Sequence, residues 1–253
     1  ARGIVLEKET NRIASWAFNK FYEYGERGQS YGDRPNLRMS VADPSIRYEK
    51  KYDGVLIKVA QLESRKLLVS TNGLIDASHA PLGVPEMRVD PTAPRSLRDV
   101  FAEVGGLDLP YKPHRCYMFE LMHPELSTVI PASAPSLIHL GTRELGEEYH
   151  EFFDQKFDIP GQVSPAERVQ FRTFKDCVDE AHKLPWDDEG FVALDAKVNR
   201  IKVKAPAYRA LQRLLAGDSS NEASDAMEVA LTLHRSRSAL PSSQAERVAS
   251  MRK

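Results

Sequence analysis

The sequence predicts an α+β fold followed by a small helical appendage. Short apolar segments bounded by turn residues, typical of strands, dominate the chain up to Lys204. Neighbouring segments are separated by tight turns, which favours antiparallel sheets. After Pro206 the pattern changes to amphipathic helices. We therefore predict one mixed domain over residues 1–204 and a helical C-terminal region over residues 205–253.

Each predicted strand is rich in β-branched, aromatic or other apolar residues and ends near Gly, Asn, Asp or Ser. The turn between the strand predicted over residues 46–59 and the one over residues 66–70 carries Glu63, Ser64 and Arg65. "NG" follows the strand over residues 66–70. Strands are predicted over residues 2–7, 46–59, 66–70, 116–122, 136–142, 189–194 and 200–204. The consecutive pairs predict hairpins.

Helices are predicted where polar capping residues precede amphipathic segments. Ser96 with Asp99 predicts one start, and Ser164, Pro165 and Glu167 predict another through a capping box. The four prolines between residues 81 and 95 predict a loop. The predicted helices cover residues 96–104, 145–157, 164–184, 207–216, 222–236 and 242–252.

Composition excludes several broad classes of protein. The 35 basic and 36 acidic side chains leave a formal charge of −1, so there is no global sign of nucleic-acid binding, although a local basic groove is compatible with this balance. No apolar run reaches the roughly 20 residues of a membrane span. Cys116 and Cys177 lie far apart, which favours a reducing cytoplasm over a disulfide framework or a zinc site.

A Lys-x-Asp-Gly sequence, from Lys51 to Gly54, precedes an apolar strand. Taken alone this pattern is a weak signal, because a four-residue pattern with three fixed positions often arises by chance. A solvated lysine in a turn explains it equally well. Other charged residues on predicted strands are needed to decide between the two interpretations.

Four such residues follow later in the chain. Glu120 lies inside the apolar segment "CYMFELM", where an acid is costly to bury without a partner, although an edge strand could turn it to water. Glu189 precedes Gly190 and an apolar strand. Lys202 and Lys204 alternate with apolar residues and so share one face of a strand, which could also be the polar face of a sheet.

In this order, these patterns resemble the nucleotidyltransferase signature of covalent nucleic-acid ligases and mRNA capping enzymes. More narrowly, "ARGIVLEKE", "FNKFYEYGE", "KYDGVLIKV", "FELMHP", "EGFV" and "RIKVK" are similar to segments of the RNA ligase 1 family of bacteriophage ATP-dependent RNA ligases. The resemblance covers about residues 1–210. It implies the nucleotidyltransferase fold, with antiparallel sheets flanking an ATP pocket.

The resemblance implies an ATP-dependent RNA ligase that seals 5′-phosphate and 3′-hydroxyl ends in RNA or tRNA repair. In such enzymes a lysine takes AMP from ATP, AMP passes to an RNA 5′-phosphate, and a 3′-hydroxyl then displaces it. The implied cofactors are ATP and Mg²⁺ or Mn²⁺. The implied partners are single-stranded or tRNA-like RNA ends. We expect a monomer without a membrane partner, in the cytoplasm of a bacterial or phage-infected cell.

By this resemblance Lys51 is the nucleophile, and strand alternation turns Lys50 to the opposite side. Asp53 would orient the lysine or its metal-bound water, and Gly54 would let the backbone approach the nucleotide. The remaining implied roles are ribose binding by Glu120, metal binding by Glu189, α-phosphate binding by Lys202 and Lys204, and pyrophosphate binding by Arg2 and Lys20. For Arg2 and Lys20, an exposed terminal arginine and a solvated loop lysine are equally compatible with the sequence.

Two alternative functions remain, and the chain departs from the family's sequence pattern at one place. DNA ligases and GTP-dependent capping guanylyltransferases share the chemistry but carry an oligonucleotide-binding barrel after the last lysine motif, where this chain predicts helices. A non-catalytic RNA-binding relic would lack some of the charged positions, which are all present. The family has a basic residue near the glycine that follows the second hairpin strand, whereas Ser70, Thr71 and Asn72 are uncharged.

Overall fold

The computed structural model describes most of the chain. The described residues are 3–25, 39–79, 95–126, 129–146, 150–152, 162–216 and 222–236, with the single residues 240, 242 and 245. Arg2 lies outside them, as do nearly all of the predicted proline loop and of the third C-terminal helix.

Thirteen strands and four α-helices are assigned within the described residues. The strands are β1 (Val5–Leu6), β2 (Ile13–Ser15), β3 (Tyr22–Glu23), β4 (Arg47–Lys50), β5 (Val55–Gln61), β6 (Leu67–Ser70), β7 (Arg115–Met122), β8 (Ser136–Glu144), β9 (Glu151–Phe152), β10 (Val163–Pro165), β11 (Arg168–Val169), β12 (Gly190–Leu194) and β13 (Arg200–Lys204). The helices are α1 (Leu97–Glu103), α2 (Phe174–Ala181), α3 (Pro206–Leu215) and α4 (Glu222–Ser236).

The first of two structural units comprises Ala1–Lys20, Gly54–Ser127 and Pro131–Ala166. Its main sheet has the order β10-β8-β7-β5-β6, and β9 also pairs with β8. All neighbours are antiparallel except β10 and β8. Because side chains alternate along β5, Ile57 and Val59 join a buried core that includes Phe101 of α1.

The second unit comprises Phe21–Asp53, Thr128–Ile130 and Glu167–Lys253. Its sheet has the order β11-β4-β12-β13-β3, and only the β13–β3 pairing is parallel. One face of the sheet is apolar and packs with Phe174, Cys177 and Ala181 of α2. The charged residues at alternate positions of β13 therefore lie on the other face.

The C-terminal helices belong to this second unit. Pro206 occupies the first turn of α3, where its missing N–H costs no hydrogen bond. Buried Tyr208 and Leu211 of α3 join an apolar cluster that also contains Trp186 and Val229. The boundary between residues 1–204 and residues 205–253 stays a prediction.

Among the described residues, no helix combines the length and apolar character that crossing a membrane requires.

Several elements agree with the sequence-based predictions. The hairpin β5–β6 and the pairs β7–β8 and β12–β13 form as antiparallel neighbours. Helix α1 has the predicted capping box between Ser96 and Asp99. The predicted strand over residues 46–59 is instead two strands of different sheets, β4 and β5, separated by the Lys-x-Asp-Gly segment.

Two helix predictions differ from the structure, one in where the helix begins and the other in its described residues. Within residues 164–184, Ser164 and Pro165 lie in the edge strand β10, and the helix begins at Phe174 with a capping box between Thr173 and Asp176. Pro165 is tolerated in β10 because an edge strand needs ladder hydrogen bonds on one side only. Within residues 145–157, of which 147–149 and 153–157 lie outside the described residues, Glu151 and Phe152 form strand β9 against β8. Tertiary pairing outweighed the local helical pattern at both places.

Candidate active site

Lys51 directly follows β4, and its backbone N–H donates to the carbonyl of Gly190 over 2.8 Å. Its Nζ lies 2.9 Å from Oε1 of Glu189. The Lys51 side chain is 19% exposed, so the amine is largely enclosed yet reachable from solvent. The neighbouring sheet therefore fixes both the backbone and the amine of the predicted nucleophile.

Glu189 is the acid that organises this cluster. The same Oε1 that contacts Lys51 lies 3.0 Å from Nζ of Lys204, and the Glu189 side chain is only 3% exposed. The second oxygen, Oε2, is buried and has no hydrogen-bond partner among the described residues. A buried carboxylate oxygen without a partner is costly, which is the signature expected of a group that binds a ligand not present in the protein alone.

Gly190 explains why a glycine must follow this glutamate. Its φ is +117°, and a Cβ there would lie 2.2 Å from the carbonyl oxygen of Val203 on the paired strand. Any other residue would push β12 and β13 apart. Because Gly190 pairs directly with Lys204, this close approach helps set the distance from Glu189 to the Lys204 amine.

Lys204 is held from a second side by helix α3. Its Nζ donates to Oε1 of Gln212 over 3.0 Å and lies 5.1 Å from the ring centroid of Tyr208. Lys202, two residues earlier on the same face, is half-buried, and its Nζ lies 5.6 Å from the ring centroid of Phe21. Both ammonium groups, which the sequence predicts to lie on one face of the strand, therefore have contacts that hold them in position.

Asp53 is buried and fully hydrogen-bonded. Its Oδ2 accepts from the backbone N–H groups of Val129 and Ile130, each over 2.7 Å. Its Oδ1 accepts from the hydroxyl of Tyr208 over 2.9 Å. In this structure Asp53 therefore fixes the segment that follows Lys51 to α3 and to residues 129–130.

Lys50 differs from Lys51 in its surroundings. Its Nζ lies 3.2 Å from Oδ2 of Asp188, and the side chain is 36% exposed. Burial disfavours the charged form of Lys50, but the charge of Asp188 and the hydrogen bond between the two outweigh it and raise the Lys50 pKa. Lys50 is consequently a poorer candidate for a nucleophile.

In the first unit, Gly54 and Glu120 lie together. The backbone N–H of Gly54 donates to Oε1 of Glu120 over 3.2 Å. A Cβ on Gly54 would lie 2.6 Å from the carbonyl oxygen of Leu121, so only glycine fits beside β7. Glu120 is half-buried on the face of the sheet opposite Phe119 and the apolar core.

The predicted site residues therefore form two groups. Contacts join Lys51, Glu189 and Lys204 in the second unit, which also contains Asp53 and Lys202, whereas Gly54 and Glu120 pair in the first unit. Lys20 follows β2 and is exposed, also in the first unit. Arg2 lies outside the described residues.

Tyr208 and Gln212 also belong to the Lys51 group, and sequence reasoning missed them. They stand four residues apart on α3, so they share one side of the helix and reach Asp53 and Lys204. Both lie in the segment "PAYRALQRL", which by itself predicts only the start of a helical region. Its position directly after the last lysine motif was the available signal.

The carboxylates suit a divalent cation only in part. No group of three or more His, Cys, Asp and Glu side chains within the described residues could hold a metal ion. Glu189 Oε2 is the oxygen that remains for one. Mg²⁺ is commonly held by one or two carboxylates together with substrate phosphates and water, and this arrangement fits that mode.

Comparisons with known proteins bear on the family and the fold. The chain is 25% identical over 275 residues to an RNA ligase of Rhodothermus phage RM378, covering 84% of this chain and 60% of that protein. It is 25% identical over 223 residues to a putative RNA ligase of Thermovibrio ammonificans, covering 82% of this chain and 51% of that protein. The chain thus spans between half and two thirds of these relatives.

The solved structure of an archaeal ATP-dependent RNA ligase matches with a TM-score of 0.51 at 13% identity, over 96% of this chain and 64% of that one. This likeness confirms the nucleotidyltransferase fold that the motifs predicted. The sequence pattern of one protein family matches residues 1–208, which include every predicted site residue. That family is described as RNA ligase, and the chain belongs to it.

Proposed function

We propose that this chain is an ATP-dependent RNA ligase that works through a lysyl-AMP intermediate on Lys51. The observation that carries the proposal is the enclosed cluster of Lys51, Glu189 and Lys204, in which one carboxylate oxygen contacts both amines. Membership of the RNA ligase family supports it. The chain spans only part of the length of its relatives, so the ligase activity as a whole is part of this proposal.

Lys51 can attack phosphorus only as a neutral amine. Glu189 Oε1, 2.9 Å from Nζ, is within reach of its proton, and the positive charge of Lys204 beside that oxygen disfavours a second ammonium nearby. The amine then forms a bond to the α-phosphorus of ATP. The bond to the β-phosphate bridging oxygen breaks, and pyrophosphate leaves with the electron pair.

The other charged residues would bind the nucleotide. Lys202 and Lys204 neutralise charge on the α-phosphate, where it builds up during the displacement. Glu120 accepts hydrogen bonds from the ribose, and Gly54 permits close backbone approach. Arg2 and Lys20 hold the outgoing pyrophosphate. Asp53 positions Lys51 through its hydrogen bonds to Tyr208 and residues 129–130.

Glu189 would hold Mg²⁺ or Mn²⁺ through Oε2, the oxygen for which the described residues offer no partner. A bound divalent cation withdraws electron density from phosphate oxygens and disfavours protonation of a nearby amine. Asp188 is already paired with Lys50, which leaves Glu189 as the carboxylate for this task.

The substrates we propose are single-stranded or tRNA-like RNA ends. AMP passes from Lys51 to an RNA 5′-phosphate, and a 3′-hydroxyl then attacks that end and releases AMP. We further propose that residues 1–204 form the adenylyltransferase domain, that residues 205–253 form a helical C-terminal region, and that the protein acts as a monomer in RNA repair in the cytoplasm of a bacterial or phage-infected cell.

Self-adenylation of two neighbouring lysine variants tests this proposal. With α-labelled ATP, the wild-type protein and Lys50→Ala should become labelled, whereas Lys51→Ala should remain unlabelled because it lacks the attacking amine. Comparable thermal midpoints for both variants would show that folding is not the cause. Full labelling of Lys51→Ala would refute the assignment of the nucleophile.

The same assay separates the alternatives. Preference for α-labelled GTP would indicate a capping guanylyltransferase, and no label with any nucleotide would indicate a non-catalytic relic. End-joining of matched RNA and DNA strands with 5′-phosphates distinguishes an RNA ligase from a DNA ligase. We expect joining of RNA.

A further inference from the structure

Lys58 is a buried cation that the proposed mechanism does not use. It lies in the middle of β5, and its side chain has no exposed surface. The ammonium donates a hydrogen bond to the carbonyl oxygen of Gly3. Among the described residues, no carboxylate pairs with it, and burial lowers its pKa. An ammonium buried without an acid is strongly disfavoured, so its presence calls for a function.

The surroundings of Lys58 contain acceptors without donors. Ser70 pairs directly with Lys58 across the hairpin, and its Oγ is buried and has no hydrogen-bond partner in the part of the chain that the structure describes. Oδ1 of Asn72 is in the same condition. Since an ammonium has three N–H donors and Gly3 accepts from one, Lys58 retains capacity to bind a further acceptor.

Gly3 passes through a narrow space beside this amine. A Cβ at Gly3, whose φ is +68°, would lie 2.8 Å from Cα of Asn72 and 3.0 Å from Nζ of Lys58. Only glycine permits this approach. Gly3 directly follows Arg2, one of the two residues that we propose to hold pyrophosphate.

Lys58 also shares a sheet face with Glu120. Leu56 pairs with Glu120 and Lys58 pairs with Met118, so Lys58 and Glu120 are diagonal neighbours on adjacent strands. Such neighbours have Cα atoms about 7–8 Å apart, which long side chains can span. Lys58 of β5 thereby places a positive charge beside Ser70 of β6, near which the hairpin itself has only uncharged side chains at Ser70 and Asn72.

We propose that Lys58 binds the β- and γ-phosphates of ATP, the part that leaves as pyrophosphate when Lys51 is adenylated. This inference rests on the proposed function. It follows from a buried ammonium on the Glu120 face that has no carboxylate partner among the described residues and retains N–H donors beyond the one that bonds to Gly3. Phosphate oxygens are the strong acceptors that such an ammonium lacks.

The test compares Lys58→Met with Lys66→Met. Both remove a lysine from the same hairpin, but Lys66 is exposed in the turn and serves as the control. Two reactions are measured: self-adenylation as a function of ATP concentration, and sealing of RNA that already carries a 5′-adenylate, which needs no triphosphate. We expect Lys58→Met to lower the adenylation efficiency about tenfold or more, because a charge-assisted hydrogen bond is lost. Sealing of pre-adenylated RNA and the thermal midpoint should not fall.

Other outcomes overturn the inference in distinguishable ways. Unchanged adenylation would exclude a phosphate role. Equal losses in both reactions with a lower thermal midpoint would show that Lys58 only anchors Gly3. Normal adenylation with failed transfer of AMP to 5′-phosphate RNA would assign Lys58 to an RNA phosphate instead.

Calorimetric binding of inorganic tripolyphosphate separates this inference from the proposed function. If the wild-type protein forms no adenylate, the proposed function fails. Tripolyphosphate binding that is weakened in Lys58→Met but not in Lys66→Met would still support the phosphate site, and equal binding by all three proteins would overturn it.

Discussion

At Glu189, one carboxylate oxygen holds two lysines while the other has no partner among the described residues. The cluster of Lys51, Lys204 and Glu189 carries two formal positive charges and one negative charge. A net positive charge in an enclosed place favours binding of a polyphosphate. In the mechanism that we propose, the uneven use of the two oxygens would give Glu189 two separable tasks, which are holding the amines and binding a cation.

The first residue-scale prediction concerns Glu189→Gln. The amide oxygen can still accept from one lysine, but the charge that holds both amines and would bind the metal is lost. We expect self-adenylation to fall about tenfold or more, since hydrogen bonds to charged groups contribute about 1.5–3 kcal/mol each. Labelling rates measured across a range of Mg²⁺ and Mn²⁺ concentrations check this. Asp188→Asn is the control, because it removes the charge paired with Lys50 while its amide oxygen can still accept from the Gly190 N–H. A wild-type rate for Glu189→Gln at every concentration would contradict the metal role.

A second residue-scale prediction concerns stability at Asp53. In Asp53→Asn the amide NH₂ either faces the N–H donors of Val129 and Ile130 and loses those hydrogen bonds, or faces Tyr208, whose hydroxyl must then accept instead of donate. In both cases the negative charge that strengthens these hydrogen bonds is lost. We expect a loss of about 2–3 kcal/mol in the free energy of unfolding, and about 1 kcal/mol for Tyr208→Phe. Urea unfolding measures both, and an unchanged midpoint for Asp53→Asn would show that this network does not stabilise the fold.

Residues in local sequence patterns were the predictable part of the site. Lys51, Glu189, Lys202 and Lys204 lie within a few positions of a glycine or on alternate positions of one strand, and the structure joins three of them. Tyr208 and Lys58 could not be found in this way. Tyr208 reaches Asp53 from a helix more than 150 positions later, and Lys58 reads as one polar position in an apolar strand.

At the scale of elements, α2 shows how capping sets a helix start. Thr173 accepts from the backbone N–H of Asp176, and the Asp176 side chain accepts from the Thr173 N–H. The Ser164 segment satisfies the same sequence rule but pairs with β8. Capping rules state where a helix can begin, and strand pairing decides whether it does.

This difference predicts opposite outcomes for two alanine substitutions. Thr173→Ala removes the cap of α2 and should lower the free energy of unfolding by about 1 kcal/mol. Ser164→Ala, at an exposed position of an edge strand, should change it by less than about 0.5 kcal/mol. Chemical denaturation of both proteins measures the difference. Equal effects would contradict the assignment of the helix start.

Short strands were the unpredictable part of the fold. The long hairpins β5–β6 and β12–β13 were predicted because each strand and its turn are local in sequence. In contrast, β9, β10 and β11 have two or three residues each, and β10 and β11 pair with strands that are not their sequence neighbours. Such segments carry too few alternations to show period-two patterning.

At the scale of the whole molecule, the chain passes repeatedly from one unit to the other. One crossing falls between Asp53 and Gly54, inside the Lys-x-Asp-Gly motif. Lys51 and Asp53 are therefore held by the second unit, and Gly54 by the first. The sequence order of the motif gave no indication of this division, because spacing along a chain does not report which core each residue joins.

The last prediction uses one cysteine in each unit. Cys116 of β7 and Cys177 of α2 are both fully buried, and burial raises both pKa values, that of Cys177 to about 12. Since the thiolate is the reactive form, neither thiol of the folded protein should react with an aromatic disulfide reagent at pH 8. An unfolded thiol ionises near pH 9, so the contribution of buried Cys177 to stability should decline as the pH rises from about 9 toward 12.

The variants Cys116→Ser and Cys177→Ser each leave one thiol, which then reports on a single unit. We expect labelling of each thiol to begin only at urea concentrations where the circular dichroism signal of the protein falls. The reason is that a buried thiol becomes both accessible and ionisable only when its own core opens. Rapid stoichiometric labelling without urea would show that the core around that cysteine is not closed.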